Sequence, residues 1–396
     1  MNAKRFLSLI LVLCMIFVLA SCGGRTENDT TTEAVSSETV VSDETTITDM
    51  IGREVTVTPG SYKKVVCIGA GALRMYSYIG DVTLLCGVED IDNMTAEDRP
   101  MMFDTSARPY VLAYGEIFDK LPSCGVGGPN AQTAEAEKIL ACEPDIIISE
   151  YEDVEKEDAL QEQTGVPVIT LKSGPAGVFA DDFRDSLRLL GKIFSADKKA
   201  ETLISFIEKE TAEISSRTAG IADDDKPSVY ICGLGNWGTT NHLVTSGQYA
   251  AFKVANVKNA VSGVGIEGVC EIEEEKLVSM FDDIDIMIID SAAIKNIKPA
   301  LAEEPEFFED CNAWTNKQVY LEMAFNAYYT NYEIALANAW FIAKTVYPEK
   351  FEDIDMTAKL NEITNVFLGK ELAEDIFSCP ASFGGYQQVD ISDFFD

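Results

Sequence analysis

Apolar and polar residues along this chain repeat with two alternating periods. Short, continuous apolar runs predict strands buried on both faces, and between them apolar residues recur with the period of a helix. The strand-like runs occupy residues 64–69, 82–88, 144–149 and 166–171, and the helix-like runs occupy 72–79 and 135–141. Strands that alternate with helices in this way predict an α/β fold with mostly parallel sheets.

A long helical pattern then covers residues 181–217 without a proline. Ser195 and Asp197 favour helix caps over helix interiors, so we expect a break near them. The plan before this helix repeats after it, because EKILACEPDIIIS at 137–149 and EKLVSMFDDIDIMIIDS at 275–291 both indicate a helix end, a turn and a buried strand. The sequence therefore predicts two α/β lobes joined by a single long helix, with a ligand cleft between the lobes.

The N-terminus has the parts of a secretion signal. Lys4 and Arg5 precede the largely apolar residues 6–20, a run too short to span a membrane. The sequence LASC, which ends at Cys22, is similar to a bacterial lipobox, in which that cysteine is acylated. We therefore expect Cys22 to carry lipid and to anchor the protein on the outer side of the cell membrane. The alternative is an ordinary signal peptide beside a chance cysteine.

Composition suggests the domain boundaries. Residues 23–46 are rich in Thr, Ser and Glu and contain no aromatic side chain, so they cannot bury enough apolar area to offset the entropy of folding. The periodic region after them is too long for one ordinary core. The predicted organisation is a signal peptide at 1–21, a disordered tether at 22–47, an N-terminal α/β lobe at 48–175, a bridging helix at 176–222 and a C-terminal α/β lobe at 223–396.

The charge of the chain excludes some partners. Removal of the signal segment takes away Lys4 and Arg5, which leaves 29 basic and 66 acidic residues and a formal charge of −37. A protein this acidic does not bind nucleic acid through its general field. An anionic ligand would need a local cluster of donors.

Residue counts also limit metal and catalytic chemistry. His242 is the one histidine in the chain, whereas a bare Zn²⁺ or Mn²⁺ ion needs several imidazole or carboxylate ligands. We expect His242 to be a loop residue, or else to cap a chelated metal. The ten cysteines form no C-x-x-C pair, and neither a G-x-S-x-G turn nor a P-loop is present. We therefore expect no enzyme, no cofactor and no protein ligands to a bare ion.

Several segments resemble one protein class. DMIGREVTV at 49–57 is similar to its opening hairpin, KKVVCIGAGALRMYSYIG at 63–80 to its first strand and helix, and FNAYYTNYEIALANAWFIAKTVYPEKFEDID at 325–355 to its last helix. With EKILACEPDIIIS, these segments make nearly the whole mature chain resemble an ABC-transporter substrate-binding lipoprotein of the helical-backbone class. That class serves iron–siderophore, haem and cobalamin importers and has relatives that bind molybdate or tungstate.

The resemblance implies a monomeric extracytoplasmic protein that captures a small-molecule metal complex and delivers it to the permease dimer of an ABC importer. An iron complex, either a siderophore or haem, is the leading ligand. A molybdate or tungstate oxyanion is the first alternative, a corrinoid is the second, and a surface enzyme or sensor of this fold is the alternative of another class. The resemblance also implies one permease-docking acid per lobe. Glu137 and Glu275 occupy the matching positions, although both could be ordinary surface residues.

Ligand contacts are expected in the loops at the carboxyl ends of the strands, where α/β proteins bind ligands. Glycines there let backbone N–H groups approach a ligand, arginines offer a planar fork to an anion, and an aromatic ring stacks on a bulky ligand. Ordinary salt bridges and packing are the alternatives for these residues. The candidates are Gly71, Ala72, Arg99, Arg108, Tyr110, Gly128, Asn130, Tyr151, Asn236, Trp237, Asn326, Tyr328 and Tyr329.

The aromatic stretch at 325–333 divides into two parts. Thr330 and Glu333 have the spacing of a capping box, which predicts a helix that runs from there to about Val346 and ends before Pro348. The residues from Phe325 to Tyr329 would then lie in the loop before that helix and face the cleft.

Overall fold

The computed structural model describes residues 43–97, 99–100, 108–128, 131, 133–235, 240–266 and 268–394. The strands are β1 (Thr45–Thr48), β2 (Glu54–Val57), β3 (Val65–Ile68), β4 (Leu85–Glu89), β5 (Ser123–Gly125), β6 (Ile146–Ser149), β7 (Val168–Thr170), β8 (Ser228–Cys232), β9 (Val244–Ser246), β10 (Lys258–Asn259), β11 (Val269–Glu271), β12 (Ile286–Asp290), β13 (Val319–Glu322) and β14 (Gln387–Gln388). The α-helices are α1 (Ala72–Ile79), α2 (Pro109–Phe118), α3 (Ala136–Ala141), α4 (Val154–Thr164), α5 (Asp181–Ile193), α6 (Asp197–Thr218), α7 (Ala250–Val254), α8 (Glu274–Val278), α9 (Ile294–Glu303), α10 (Asn312–Thr315), α11 (Tyr332–Val346), α12 (Met356–Leu368) and α13 (Ala373–Ser378).

The N-terminal lobe is built on a parallel sheet with the strand order β5-β4-β3-β6-β7. All four residues of β3 and of β6 are buried. Continuous apolar strands of this kind are typical of parallel sheets that are covered by helices on both faces. The antiparallel hairpin β1–β2 precedes this sheet. Because β1 begins at Thr45, regular structure starts slightly before the predicted end of the tether at residue 47.

The C-terminal lobe repeats the central part of this arrangement. Its sheet has the strand order β10-β8-β12-β13-β14, and all pairs are parallel except β13 with β14. The neighbours β8, β12 and β13 correspond to β3, β6 and β7 in the first lobe. The short helices α3 and α8 precede the corresponding central strands β6 and β12. The prediction of an α/β fold with two similar lobes is confirmed.

Two consecutive helices occupy the predicted helical stretch between the sheets. α5 ends at Ile193 and α6 begins at Asp197, and between them Ser195 has a positive φ of 53°. A residue with a side chain rarely adopts this left-handed conformation, and it interrupts the helix. α6 has 22 residues and is therefore about 33 Å long. It is the long helix that links the lobes.

The helix α11 is buried along nearly its whole length and contacts α6, α7 and α12. It ends at Val346, as predicted, but the predicted capping box is wrong. Asn331 occupies the N-cap position without a side-chain cap bond. The Glu333 carboxylate instead accepts a hydrogen bond of 2.5 Å from the hydroxyl of Tyr78 on α1. The acid that was expected to cap its own helix therefore bonds to the first helix of the other lobe.

No helix within the described residues is long and apolar enough to cross a membrane. The eight described cysteines are all free thiols.

The close approach of α5 to α6 generates a stability prediction. A Cβ atom added to Gly191 would lie 2.9 Å from the Ala200 Cβ and 3.2 Å from the Asp197 Cα. We expect Gly191→Val to lower the free energy of unfolding by about 1–3 kcal/mol, because neither neighbour can move without shifting a helix. Urea unfolding of the purified protein measures the change.

Gly220 provides the matched control for this substitution. No atom of the described residues lies within 4 Å of a Cβ added there, so Gly220→Val should alter the unfolding free energy by less than about 0.5 kcal/mol. Equal losses in the two variants would contradict the packing argument.

Candidate binding cleft

Buried acidic side chains mark the carboxyl ends of the central strands in both sheets. Glu89 ends β4, Asp290 ends β12 and Glu322 ends β13, and each is at most 4% exposed. Glu150 directly follows β6, and its carboxylate Oε2 is buried. None of these four carboxylates is in the list of candidate ligand contacts, although the sequence places Glu150 and Asp290 at the ends of buried strands. The available signal was an acid that closes each apolar run, as in GVED and MIID.

The guanidinium of Arg74 joins the two lobes. Arg74 is fully buried on α1. Its Nε donates to Asn331 Oδ1 at 2.9 Å, and its Nη2 donates to the carbonyls of Ala327 and Tyr328 at 3.1 and 2.8 Å. These acceptors belong to residues 325–331, which lead from β13 into α11 and are called the entry loop below. One side chain of the N-terminal lobe therefore holds the entry loop in place.

The entry loop contains two consecutive residues with unfavourable backbone. Tyr328 and Tyr329 have positive φ values of 50° and 66°, and such conformations persist only where the surroundings enforce them. The Tyr328 hydroxyl donates to Glu89 Oε2 at 2.6 Å, and Glu89 also accepts from the Gly69 N–H at 3.2 Å. Tyr328 is thereby buried, whereas Tyr329 is 52% exposed. Tyr329 is the member of the pair that is open to a ligand.

A second chain of hydrogen bonds connects α11 with the end of β6. The Tyr332 hydroxyl donates to Ser173 Oγ at 2.5 Å, and Ser173 donates to Glu150 Oε1. Among the described residues, the other oxygen of Glu150 has no hydrogen-bond partner. Burial raises the pKa of Glu150 to about 8 and that of Glu89 to about 7. Both carboxyls are therefore partly protonated at neutral pH, which lowers the negative charge at the ends of β4 and β6.

In the second lobe, Asp290 and Glu322 are partners in the register of β12 and β13. The Tyr249 hydroxyl donates to Glu322 Oε1 at 2.9 Å, and Asp290 Oδ1 accepts from the Ala292 N–H at 2.8 Å. Burial raises the pKa of both carboxyls, and the charge of Asp290 raises that of Glu322 further. Because two neighbouring buried carboxylates repel each other, the pair keeps at least one proton at neutral pH.

A cavity of about 410 Å³ lies beside the entry loop, and the four carboxylates are not among its described lining residues. Phe179 lines it from the segment before α5, Leu234 from the end of β8, Tyr249 from the start of α7, and Phe325 and Asn326 from the entry loop. The rings of Tyr249 and Phe325 stack with centroids 6.0 Å apart and planes at 22°. No charged side chain lines the cavity within the described part of the chain. This cavity between the lobes is the candidate binding site.

A larger open hollow of about 980 Å³ lies on the C-terminal lobe, and its lining includes Ser228 and Lys258. These residues begin β8 and β10. The hollow extends from these amino ends, away from the edge at which α/β proteins bind ligands, to Ala176 and Gln248–Ala250, which it shares with the smaller cavity. The smaller cavity is therefore the better candidate.

Residues 73–322 match the family model described as periplasmic binding protein. The chain belongs to this family. Its members bind small solutes outside the cytoplasm and work with a transporter. The chain is 21% identical over 279 residues to the molybdate-binding protein MolA of Haemophilus influenzae, a match that covers 64% of this chain and 75% of MolA.

Several solved structures share this fold. MolA bound to molybdate superposes with a TM-score of 0.61 and 15% identity, over 83% of this chain and 98% of MolA. A periplasmic solute-binding protein from Veillonella parvula superposes with a TM-score of 0.62 and 18% identity, over 84% of this chain and 95% of that protein. Helicobacter pylori CeuE in a Ni-His complex superposes with a TM-score of 0.55 and 17% identity, over 85% of this chain and 99% of CeuE. At these identities, the likeness establishes the two-lobed fold.

The predicted arginines of this periplasmic binding protein point into its N-terminal lobe. Arg108 is fully buried, and its Nη1 donates to Asp92 Oδ1 at 3.0 Å and to the Ile91 carbonyl at 2.8 Å. The Tyr110 hydroxyl donates to the same Asp92 oxygen at 2.5 Å. Arg99 is partly buried, with Nε 3.5 Å from the Ile91 carbonyl. For Arg108 the structure places the side chain in an ordinary buried salt bridge, the alternative to a ligand contact.

The predicted small residues lie at the cleft edge of the same lobe. Gly71 has a φ of 110° at the N-cap of α1, and an added Cβ would lie 2.0 Å from Glu150 Oε2. The position therefore requires glycine whether or not a ligand binds. Ala72 and Gly128 are buried, and Tyr151 is partly buried against the core of the lobe.

The remaining candidates are spread over several surfaces. Asn326 lines the cavity. Glu137 and Glu275 are exposed on α3 and α8. Four predicted residues lie outside the described residues, namely Cys22, Asn130, Asn236 and Trp237.

The lone histidine is placed away from the cavity. His242 packs its ring against Phe307 and Phe308, with centroids 4.7 and 5.8 Å away. Within the described residues, no group of three or more His, Cys, Asp or Glu side chains is arranged to hold a metal ion.

The Arg74 contacts generate a stability prediction. We expect Arg74→Met to lower the free energy of unfolding by about 3 kcal/mol or more, because the side chain of Asn331 and two buried carbonyls lose a charged donor. Urea unfolding measures the loss. Arg188→Met is the control, because Arg188 forms ion pairs with Asp185 and Glu201 at 44% side-chain exposure. It should cost less than about 1 kcal/mol, and a similar cost for Arg74→Met would contradict the assigned role.

Glu150 generates a prediction about pH. Its pKa is raised from an ordinary 4.5 to about 8, so the folded state binds a proton that the unfolded state releases within this range. Its contribution to stability is complete below about pH 4.5 and is lost as the pH rises toward 8. We expect the melting temperature of the wild type to fall between pH 5 and pH 8, and Glu150→Gln to reduce that fall. Glu152→Gln, at a 44% exposed side chain paired with Lys172, should leave the pH profile unchanged. Identical profiles for wild type and Glu150→Gln would refute the prediction.

Proposed function

We propose that this periplasmic binding protein captures an iron complex, a siderophore or haem, and delivers it to an ABC importer. The observation that supports this ligand class best is the cavity between the lobes. Its volume of about 410 Å³ falls within the range of sites that enclose drug-sized molecules. The stacked rings of Tyr249 and Phe325 form an aromatic wall of this cavity, against which a bulky or planar ligand can pack.

The electrostatics of the cleft also favour a bulky chelate over a small oxyanion. A tetrahedral oxyanion is best held by cations or converging N–H donors. The described lining of the cavity contains no cation, and the guanidinium of Arg108 is engaged by Asp92. Ser246, Gln248 and Asn326 line the cavity and can donate hydrogen bonds to the oxygen atoms of a chelate.

Molybdate or tungstate is the second candidate. It is favoured by the similarity to MolA, which is named and solved as a molybdate-binding protein. The polar entry loop, with Asn326 and the exposed Tyr329, offers donors that either ligand could use. The two candidates differ in size and charge, so a binding assay separates them.

The proposal also includes the site of action. The segment before residue 22 and its LASC ending support export and acylation of Cys22. A lipid-anchored protein of this kind would work as a monomer beside its permease dimer, without a cofactor and without catalysis.

A melting assay with a ligand panel tests the proposal. The panel contains ferric catecholate and hydroxamate siderophores, haem, cobalamin, molybdate and tungstate, each added to the soluble protein without its N-terminal segment. We expect a ferric complex to raise the melting temperature, because a ligand that binds only the folded state stabilises it by RT ln(1 + [L]/Kd). A shift from molybdate or tungstate alone would establish the second candidate. Folded protein that responds to no member would refute the proposal.

A variant locates the site. Phe325→Ala removes one ring of the aromatic wall and should weaken binding of the stabilising ligand about tenfold or more. Phe383→Ala is the matched control, because Phe383 is 41% exposed and is not part of the cavity lining. Equal affinities of the two variants in isothermal titration would place the site elsewhere.

A further inference from the structure

The wall of the cavity combines aromatic rings with neutral polar side chains. Tyr249 and Phe325 contribute the rings, and Ser246, Gln248 and Asn326 contribute hydroxyl and amide groups. These polar groups donate and accept hydrogen bonds without carrying charge. The rings also attract cations, because the quadrupole of an aromatic ring is negative over its face. The described wall therefore favours a neutral or positively charged ligand over an anion.

A buried carboxyl pair lies behind one of these rings. The Tyr249 hydroxyl donates to Glu322 Oε1 at 2.9 Å, and Glu322 is the register partner of Asp290 at the ends of β13 and β12. Both acids are fully buried, and among the described residues Glu322 Oε2 and Asp290 Oδ2 have no hydrogen-bond partner. Negative charge on this pair attracts a cation in the cavity and repels an anion.

The positive side chains nearest the cleft are paired or balanced. Arg74 donates to the entry loop, and Arg108 forms a salt bridge with Asp92. The internal residues outside the described ranges contain no lysine and no arginine. The larger hollow, which shares part of the cavity lining, has as many lysines as aspartates, namely Lys226, Lys253, Lys258, Asp223, Asp224 and Asp283. Within the described part of the chain, an anionic ligand would thus meet no surplus of positive charge at this cavity.

We propose that the cavity selects chelates whose net charge is zero or positive, and that it places a cationic group of the ligand against the aromatic wall of Tyr249 and Phe325. The proposal rests on the proposed function and narrows its ligand class. A ferric trihydroxamate is favoured, because three deprotonated hydroxamates balance the charge of Fe³⁺ and leave the complex neutral. A ferric tricatecholate keeps a net negative charge and haem carries propionate groups, so both are disfavoured.

One chelate scaffold in four forms tests the proposal. A linear trihydroxamate with a terminal amine gives a ferric complex with one positive charge. Acetylation of the amine removes that charge, succinylation makes the complex negative, and the methyl ester of the succinyl form is neutral at nearly the same size. Titration calorimetry with the full-length protein in detergent measures the four affinities. We expect the amine form to bind about tenfold more tightly than the succinyl form, and the ester to bind as the acetylated form does.

Variants of the wall locate the charge selection. Phe325→Leu keeps an apolar side chain but loses the π face, so the amine form should lose its advantage over the acetylated form. Gln248→Lys adds a cation at an exposed position of the lining, so the succinyl form should bind at least as tightly as its ester. Gln163→Lys is the matched control, because it adds the same charge at an exposed position on α4, outside the cavity lining. It should leave the ratios of the four affinities unchanged.

Several outcomes would overturn the inference. They are equal or tighter binding of the succinyl form to the wild type, a loss of affinity that the methyl ester shares, and binding of a ferric catecholate or haem without binding of any trihydroxamate. An amine preference that persists in Phe325→Leu, or an equal change in Gln248→Lys and Gln163→Lys, would also contradict it. If the folded wild type binds no ferric complex of any charge, the proposed function fails instead.

Discussion

The arrangement of the cleft depends on one buried guanidinium. Arg74 is fully buried on the first helix of the N-terminal lobe, and its three hydrogen bonds all go to the entry loop that precedes α11. A buried cation must be surrounded by acceptors, because the cost of removing it from water is otherwise too large. The loop supplies acceptors to Nε and Nη2 as backbone carbonyls and an amide, whereas Nη1 has no hydrogen-bond partner among the described residues. The face of the Tyr110 ring lies 4.8 Å from the guanidinium carbon and adds a cation–π contact.

Several features of the site follow from this constraint. With the entry loop held by Arg74, the Tyr328 hydroxyl reaches Glu89 and Tyr329 remains exposed. The same loop brings Phe325 beside Tyr249, which forms the aromatic wall of the cavity. The strained backbone of the two tyrosines is thus maintained by contacts made from both lobes.

The acidity of the chain has different meanings at its surface and in its cleft. A formal charge of −37 for the mature chain suggests a strongly negative protein that repels anions. At the ends of the central strands, however, burial raises the pKa of Glu89, Glu150, Asp290 and Glu322. These groups retain protons at or near neutral pH. The cleft therefore carries less negative charge than the composition indicates, and it repels weakly anionic ligands less.

The sequence by itself determined the two α/β lobes, the strands that form their cores, the helix break at Ser195 and the repeated segments at 137–149 and 275–291. These features depend on local periodicity and on the conformational preferences of single residues, which are read from neighbouring positions. Only the tertiary structure decided that Arg108 lies in a buried salt bridge, that Glu333 bonds to Tyr78 instead of capping α11, and that the acids at the strand ends are buried. The partner of a buried polar group is chosen by three-dimensional proximity, and Arg74 and Asn331 are 257 residues apart in the chain. No local pattern encodes such a choice, which is why the architecture could be predicted while most polar contacts of the site could not.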